Sequence, residues 1–223
     1  MTTVYIARRG TPRVRAAQVH LEAARALRVL GVASTLFRAR AALPDLDPDA
    51  LLIDLRLEDG AALSLVHSLR ERQAERPKGM LVAPEAADPL LFSTLIAGAD
   101  AYLLESDLPV AASQLQRLMA GEAVMAAPIA AQVLRFFGEE PLWTAPTASI
   151  EDRRLDWSAH RANPLQLSPG ELRLVRLISQ GVSSGELALR MALSVEAVGR
   201  RVANIYRKLS WDVRSGSLSL LSA

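Results

Sequence analysis

The spacing of apolar and polar positions divides the chain into two kinds of segment. Up to about residue 121, short apolar runs alternate with stretches of helical period. Val4-Tyr5-Ile6-Ala7, Ala33 to Phe37, Ala50 to Asp54, Met80 to Ala83 and Ala99 to Leu104 read as strands. Helices are predicted from about Arg13 to Leu30, Ala61 to Arg72, Pro89 to Ala97 and Pro109 to Ala120. Runs that are apolar throughout suit strands covered on both faces, and their alternation with helices suits a parallel sheet. Functional groups of such folds collect at the carboxyl ends of the strands. Arg8, Arg9, Asp54, Ala83 and Glu105 stand at those ends.

After Gly121 the pattern is helical only. Pro128 to Leu134 predicts one helix, ending near Gly138. Residues 138–166 then hold Pro141, Pro146 and Pro164, with Trp143 and Trp157, and read as a linker. From Leu167 three short helices follow. Ser168-Pro169-Gly170-Glu171 has the serine cap, first-turn proline and glutamate of a capping box. Ser183-Ser184-Gly185-Glu186 repeats the S-x-x-E spacing. Ser194 caps a third helix with Ala197 where the glutamate would be. Gly181 closes the first of the three. A last short helix is expected near Ser215–Leu221, with Leu218, Leu220 and Leu221 either in the core or in a dimer contact.

In the third helix Val198, Val202, Ile205 and Leu209 form an apolar stripe. Arg200, Arg201, Asn204, Arg207 and Lys208 fall largely off it. A tight helix–turn–helix with a basic outer face suits the DNA major groove, where arginine can donate twice to guanine. A solvated basic face on a small bundle accounts for the same spacing.

Charge sharpens the division. Residues 150–223 carry 11 Lys+Arg against 7 Asp+Glu, and residues 1–149 carry 15 against 17. A mildly acidic first part joined to a basic tail fits an input module attached to a nucleic-acid module. The chain has no cysteine, so disulfide and thiolate chemistry are excluded. No apolar run reaches membrane-spanning length and the start lacks a signal-peptide core, so a cytoplasmic protein without membrane contact is expected. His20, His67 and His160 are scattered, and neither a G-x-S-x-G elbow nor a phosphate-cradling glycine loop is present. No enzyme site, metal or cofactor is expected.

Residues Leu167 to Leu209 resemble the C-terminal DNA-binding domain of LuxR/FixJ-type bacterial transcription regulators. The resemblance runs without a gap through Leu167, Ser168, Pro169, Glu171, Val175, Leu177, Ile178, Gly181, Ser183, Glu186, Ala188, Ser194, Val198, Ile205, Lys208 and Leu209. It departs at Gly199, where the family has a lysine that contacts DNA, at Arg201, usually histidine, and at Ala203, often basic. Glycine in an exposed helix costs about 1 kcal/mol against alanine. The resemblance implies DNA contacts from Arg200, Arg201, Asn204, Arg207, Lys208, Ser183 and Ser184.

Upstream, LLIDLRLEDGAALSLVHSLR and AGADAYLLESD resemble the acceptor-aspartate and fifth-strand segments of response-regulator receiver domains. The implied fold is an α/β flavodoxin-like receiver, a parallel five-stranded sheet of order 2-1-3-4-5, followed by an all-α four-helix LuxR-type helix-turn-helix domain. The implied boundaries are 1–121 for the receiver, 122–163 for a helix and linker, and 164–223 for the DNA-binding domain. Receiver chemistry uses two acidic residues after the first strand, an acceptor aspartate, a Thr or Ser after the fourth strand and a Lys after the fifth. These hold magnesium and the phosphoryl group. Here those positions are Arg8 and Arg9, Asp54, Ala83 and Glu105. Only Asp54 and the switch-type aromatic Tyr102 remain, and Glu58 replaces a common proline. The expectation is an atypical receiver in which Asp54, with or without Glu105, pairs with Arg8 or Arg9 and is not phosphorylated. The alternative is a decayed pocket with Asp54 solvated. At the level of function, the expectation is a homodimeric regulator bound to double-stranded DNA, with a small-molecule or protein input. The competing expectation is an interaction protein that keeps the fold and acts by heterodimerisation.

Overall fold

A computed structural model describes residues 1–70, 77–137 and 167–215. The chain divides into two compact units, Met1–Ala123 and Val124–Ala223. In the first, β1 (Thr2–Ala7), β2 (Leu27–Ala33), β3 (Ala50–Asp54), β6 (Lys78–Ala83) and β7 (Ala101–Leu104) form one sheet, while β4 (Arg56–Leu57) and β5 (Gly60–Ala61) form a small hairpin beside it. The sheet order is β2-β1-β3-β6-β7, with every pair parallel. Counted over the five sheet strands alone, this is the expected order 2-1-3-4-5. All five residues of β3 are buried, as are the last four of β1 and the last five of β6. That burial is why these runs carry no polar alternation.

Around the sheet lie α1 (Thr11–Glu22), α2 (Leu36–Leu46), α3 (Leu63–Arg70), α4 (Pro89–Ala97) and α5 (Ala111–Met119), the last entered through a 3₁₀ turn, Glu105–Val110. The helix predicted over Arg13 to Leu30 is too long. It stops at Glu22, and Leu27–Ala33 pairs with β1 from Thr2↔Leu27 to Ala7↔Ala33. The Ala/Arg/Leu-rich stretch satisfies both periods, and pairing with the buried β1 decides between them. The strand expected at Ala33 to Phe37 is accordingly displaced, and α2 takes its place. Thr35 caps α2 by accepting from the Arg38 amide at 3.2 Å. Asp59 reaches back from the loop after β3 to accept from the Leu36 and Phe37 amides at 2.6 and 3.0 Å.

The second unit is helical throughout its described residues: α6 (Ala127–Phe136), α7 (Pro169–Ser179), α8 (Ser184–Met191) and α9 (Val195–Ser215). α6 packs against α7, burying Ile129, Ala130, Val133 and Leu134. Gly181 turns the chain out of α7 with φ +80°. α9 continues beyond Leu209 to Ser215, since no glycine or proline interrupts it before Gly216. The final helix expected over 215–221, Ser215 apart, and the two linker tryptophans lie outside the described residues.

The α8–α9 turn carries one backbone irregularity. Ala192, which closes α8, is left-handed at φ 53°. That conformation costs a residue with a Cβ about 1–2 kcal/mol. Ala192→Gly is therefore expected to stabilise the second unit by about 1 kcal/mol, read as a higher midpoint in thermal or urea unfolding of the full chain.

Candidate functional site

The sheet register brings the strand-end residues together. β1 and β3 align Ala7 with Ile53, so Arg8 and Asp54 each follow one step later at the same edge. β6 and β7 align Ala83 with Leu104, the residue before Glu105. Arg8 is 0 % exposed and Asp54 4 %. The Arg8 Nε donates to Asp54 Oδ1 at 2.7 Å, its Nη2 donates to Glu105 Oε2, and its Nη1 reaches the Arg13 carbonyl at 3.4 Å. One guanidinium thus ties together the ends of β1, β3 and β7. Arg9 acts through its backbone: its amide donates to Asp54 Oδ2 at 2.9 Å, while its side chain is exposed. Sequence left Arg8 and Arg9 open as partners; in the fold Arg8 is buried beside Asp54 and the Arg9 side chain is exposed. Arg13, which sequence reading passed over, brings its Nη1 to 3.9 Å from Asp54 Oδ2.

Burial pushes the Asp54 carboxyl above its ordinary value, against the pull of the Arg8 guanidinium and the Arg9 amide, and the Glu105 charge adds to the rise. A buried carboxylate in this setting depends on its partner cation: breaking a buried pair leaves an uncompensated charge. Ala83 offers only a buried methyl group, and Tyr102 is buried within β7. Nearby, Arg56 pairs with Asp88 at 3.1 Å.

The donor set does not fit the magnesium ion that receiver folds use. Each Asp54 oxygen accepts from a group of β1 or its end, Oδ1 from Arg8 and Oδ2 from Arg9. Arg8 and Arg9 occupy the positions where two further carboxylates would be required, and a buried guanidinium repels a divalent cation. Among the described residues no group of three or more His, Cys, Asp or Glu is arranged to hold a metal ion.

The helical unit places the second set of residues. The Ser168–Glu171 box forms in both directions: Ser168 N donates to Glu171 Oε2 at 2.7 Å and Glu171 N to Ser168 Oγ at 3.3 Å. Ser183 accepts from the Glu186 amide at 3.4 Å, but the Glu186 carboxylate takes Arg190 at 2.5 Å. Ser184 is exposed. Ser194 accepts from the Ala197 amide at 3.1 Å, the half box the sequence predicts. Along α9, Val198, Val202, Ile205 and Leu209 are buried together with Tyr206.

The polar residues of α9 are not equivalent. Arg200 and Arg207 are exposed, and Arg207 Nη2 donates to the side-chain Oδ1 of Asn204. Arg201 is half-buried, with its guanidinium close to Gly170 of α7, where an added Cβ would lie 3.4 Å from Nη1. Lys208 is turned inward: its Nζ donates to Glu171 Oε2 at 2.6 Å, so the ammonium also anchors the capping box of α7. Gly199, expected on the exposed surface, is buried, and Ala203 is half-buried.

Burial works against the Glu171 charge, but the Lys208 ammonium and the Ser168 amide and hydroxyl outweigh it and hold the carboxyl below its ordinary value of 4.5. A depressed carboxyl contributes stability that is complete above the unfolded value and lost as pH falls through the folded one. The helical unit is therefore expected to lose stability on acidification below about pH 4.5, and Glu171→Gln should flatten that part of the profile in pH-dependent unfolding.

No protein-family model matches the chain. Among curated proteins it is 26 % identical over 165 residues to the nitrate/nitrite response regulator homolog of Haemophilus influenzae, covering 73 % of this chain and 68 % of that protein. It is 24 % identical to the DNA-binding transcriptional activator DevR/DosR of Mycobacterium tuberculosis, covering 85 % and 79 %. Among solved structures, the RcsB response regulator of Salmonella typhimurium aligns with TM-score 0.53 and 16 % identity over 94 % of this chain and 93 % of that one. An RcsB–DNA complex aligns with TM-score 0.53 and 16 % identity over 97 % and 99 %. The structural likeness concerns the fold. The sequence likeness, of 24–26 % identity, is to response regulators of the NarL and DevR/DosR type, and the fold likeness is to a receiver-fold domain followed by a helix-turn-helix domain.

Proposed function

We propose that the chain is a sequence-specific, DNA-binding transcription regulator whose receiver-fold domain works without phosphorylation of Asp54. The observation that carries the second half is the Arg8 guanidinium held between Asp54 and Glu105. It engages Asp54 Oδ1 from inside the sheet, while the Arg9 amide engages Oδ2, and it supplies fixed positive charge where phosphoryl transfer would need a metal. The input is then a small molecule, a protein partner or the protein's own abundance.

The first half is supported by the curated relatives and by α9. Arg200 stands exposed beside the buried stripe, with Arg201, Asn204 and Arg207 near it. We assign base reading to Arg200 and Arg201, and backbone contact to Arg207 with Asn204. Ser183 and Ser184, at the start of α8, also face backbone phosphates. Lys208, engaged with Glu171, stabilises the domain more than it contacts DNA. The protein acts as a homodimer on inverted half-sites about one helical turn apart, and it has no enzymatic activity of its own.

Binding of the full chain to duplexes from its own upstream region tests this reading. Sequence-dependent binding that weakens steeply with salt is expected. Binding absent at low salt on every duplex would favour instead a protein that acts by heterodimerisation, a reading that the inward turn of Lys208 and the loss of lysine at Gly199 also suit.

A further inference from the structure

Open parallel sheets bind ligands outside the carboxyl ends of their strands, at the point where the strand order reverses. In the order β2-β1-β3-β6-β7 that point lies between β1 and β3, where Arg8 meets Asp54. Asp54 is buried together with Arg8. Glu105 is placed differently: its side chain is 35 % exposed, so it reaches Arg8 Nη2 from the rim. Positive charge is in excess at this rim. Arg9 is exposed and, among the described residues, has no ion-pair partner. Arg13 is half-exposed and has only Asp54 Oδ2, at 3.9 Å. Arg8, Arg9 and Arg13 thus bring three guanidiniums against the two carboxylates of Asp54 and Glu105.

A carboxylate of the chain that meets a buried guanidinium from the rim can be exchanged for a carboxylate from outside. We propose that this strand-end site binds a small dicarboxylate. One carboxylate takes the place of Glu105 on Arg8 Nη2, and the other meets the exposed guanidiniums of Arg13 and Arg9. The proposal rests on the reading that Asp54 is not phosphorylated, and it names the chemical class of a small-molecule input. Charge favours a carboxylate over a phosphate here. The exchange replaces one negative charge by one, so the buried Asp54 meets no added repulsion, whereas a phosphate dianion would bring a second charge beside it. Guanidinium and carboxylate also match as planar, two-point partners. The second carboxylate is required because Glu105 is tethered. Its effective concentration at Arg8 is on the order of millimolar or more, and a monocarboxylate would compete with it through no other contact. Occupancy releases Glu105, the first residue of the 3₁₀ turn Glu105–Val110.

Calorimetric titration of the full chain at fixed ionic strength, without phosphodonor or magnesium, tests the site with malonate, succinate, glutarate, acetate and inorganic phosphate. At least one dicarboxylate is expected to bind the wild-type chain and to raise the thermal midpoint of the receiver-fold unit, while acetate and phosphate do neither at the same concentration. Glu105→Ala removes the tethered competitor, so it should tighten that dicarboxylate several-fold and make acetate binding measurable. Arg13→Ala should reduce the dicarboxylate to the level of acetate. Both side chains are partly exposed, so both variants are expected to fold. Absence of dicarboxylate binding to the wild-type chain, phosphate binding as tight as that of the best dicarboxylate, or an affinity unchanged by Arg13→Ala would overturn the proposal. A phosphoryl adduct on Asp54 would overturn the phosphorylation-free reading alone, since these titrations contain no phosphodonor.

Discussion

Arg8→Ala is expected to destabilise the receiver-fold unit by about 3–5 kcal/mol, because it strands a buried carboxylate. That is a large share of the 5–15 kcal/mol available to a typical domain. In a thermal scan it corresponds to a fall of roughly 10–20 °C in the midpoint of the first unit. The magnitude follows from burial: Arg8 and Asp54 are both nearly inaccessible, and Arg8 also holds Glu105. Arg9→Ala is the matched control. Its contribution is a backbone amide that alanine retains, so its effect should stay within about 0.5 kcal/mol. Equal effects from the two substitutions would contradict the division of labour between them. A similar Arg8→Ala loss surviving in an Asp54→Asn background would show that the pair is not its source.

The second large effect is expected on DNA. Arg200→Ala should cost about 1–3 kcal/mol on the preferred duplex and relax the preference at one base position, since an exposed α9 arginine aimed at a base edge acts by direct readout. Arg207→Ala should instead weaken binding on all duplexes alike and reduce the salt dependence. Lys208→Met should do neither to first order. Its loss should appear as lower stability of the helical unit, because its ammonium serves Glu171. Titration of each variant against matched and single-base-changed duplexes, at two salt concentrations, separates the three outcomes. A uniform loss for Arg200→Ala would remove it from base reading.

Much of the fold was legible because the strongest signals were also the most buried. The runs at Val4–Ala7, Ala50–Asp54 and Met80–Ala83 lie in the centre of the sheet, and proline with its flanking residues fixed the start of α4. β2 and α2 were misread for the opposite reason. β2 carries Arg28 and only two buried residues, so its alternation is blurred, and its neighbours are rich in alanine and arginine, which suit a helix. The strand-end residues of the pocket were legible as a set, since a parallel sheet collects them at one edge. Which arginine turns inward was not, because that depends on the register of β1 against β3. Helical spacing put Lys208 on the basic face of α9. Its engagement with Glu171, 37 residues away, is a tertiary contact that no local pattern encodes. The Tyr206–Val124 bond spans 82 residues and is invisible to sequence for the same reason. Capping was the most transferable signal: Ser168, Ser183 and Ser194 each cap as their spacing predicts, since a cap needs only its own next three residues.

The central claim is that the Arg8 guanidinium has replaced phosphorylation chemistry at Asp54. Its most direct test is mass spectrometry of the full chain after incubation with a small phosphodonor and magnesium, with peptide mapping across residues 50–56. Wild-type protein is expected to show no phosphoryl adduct on Asp54. A stoichiometric adduct on Asp54 of the wild-type chain would contradict the claim.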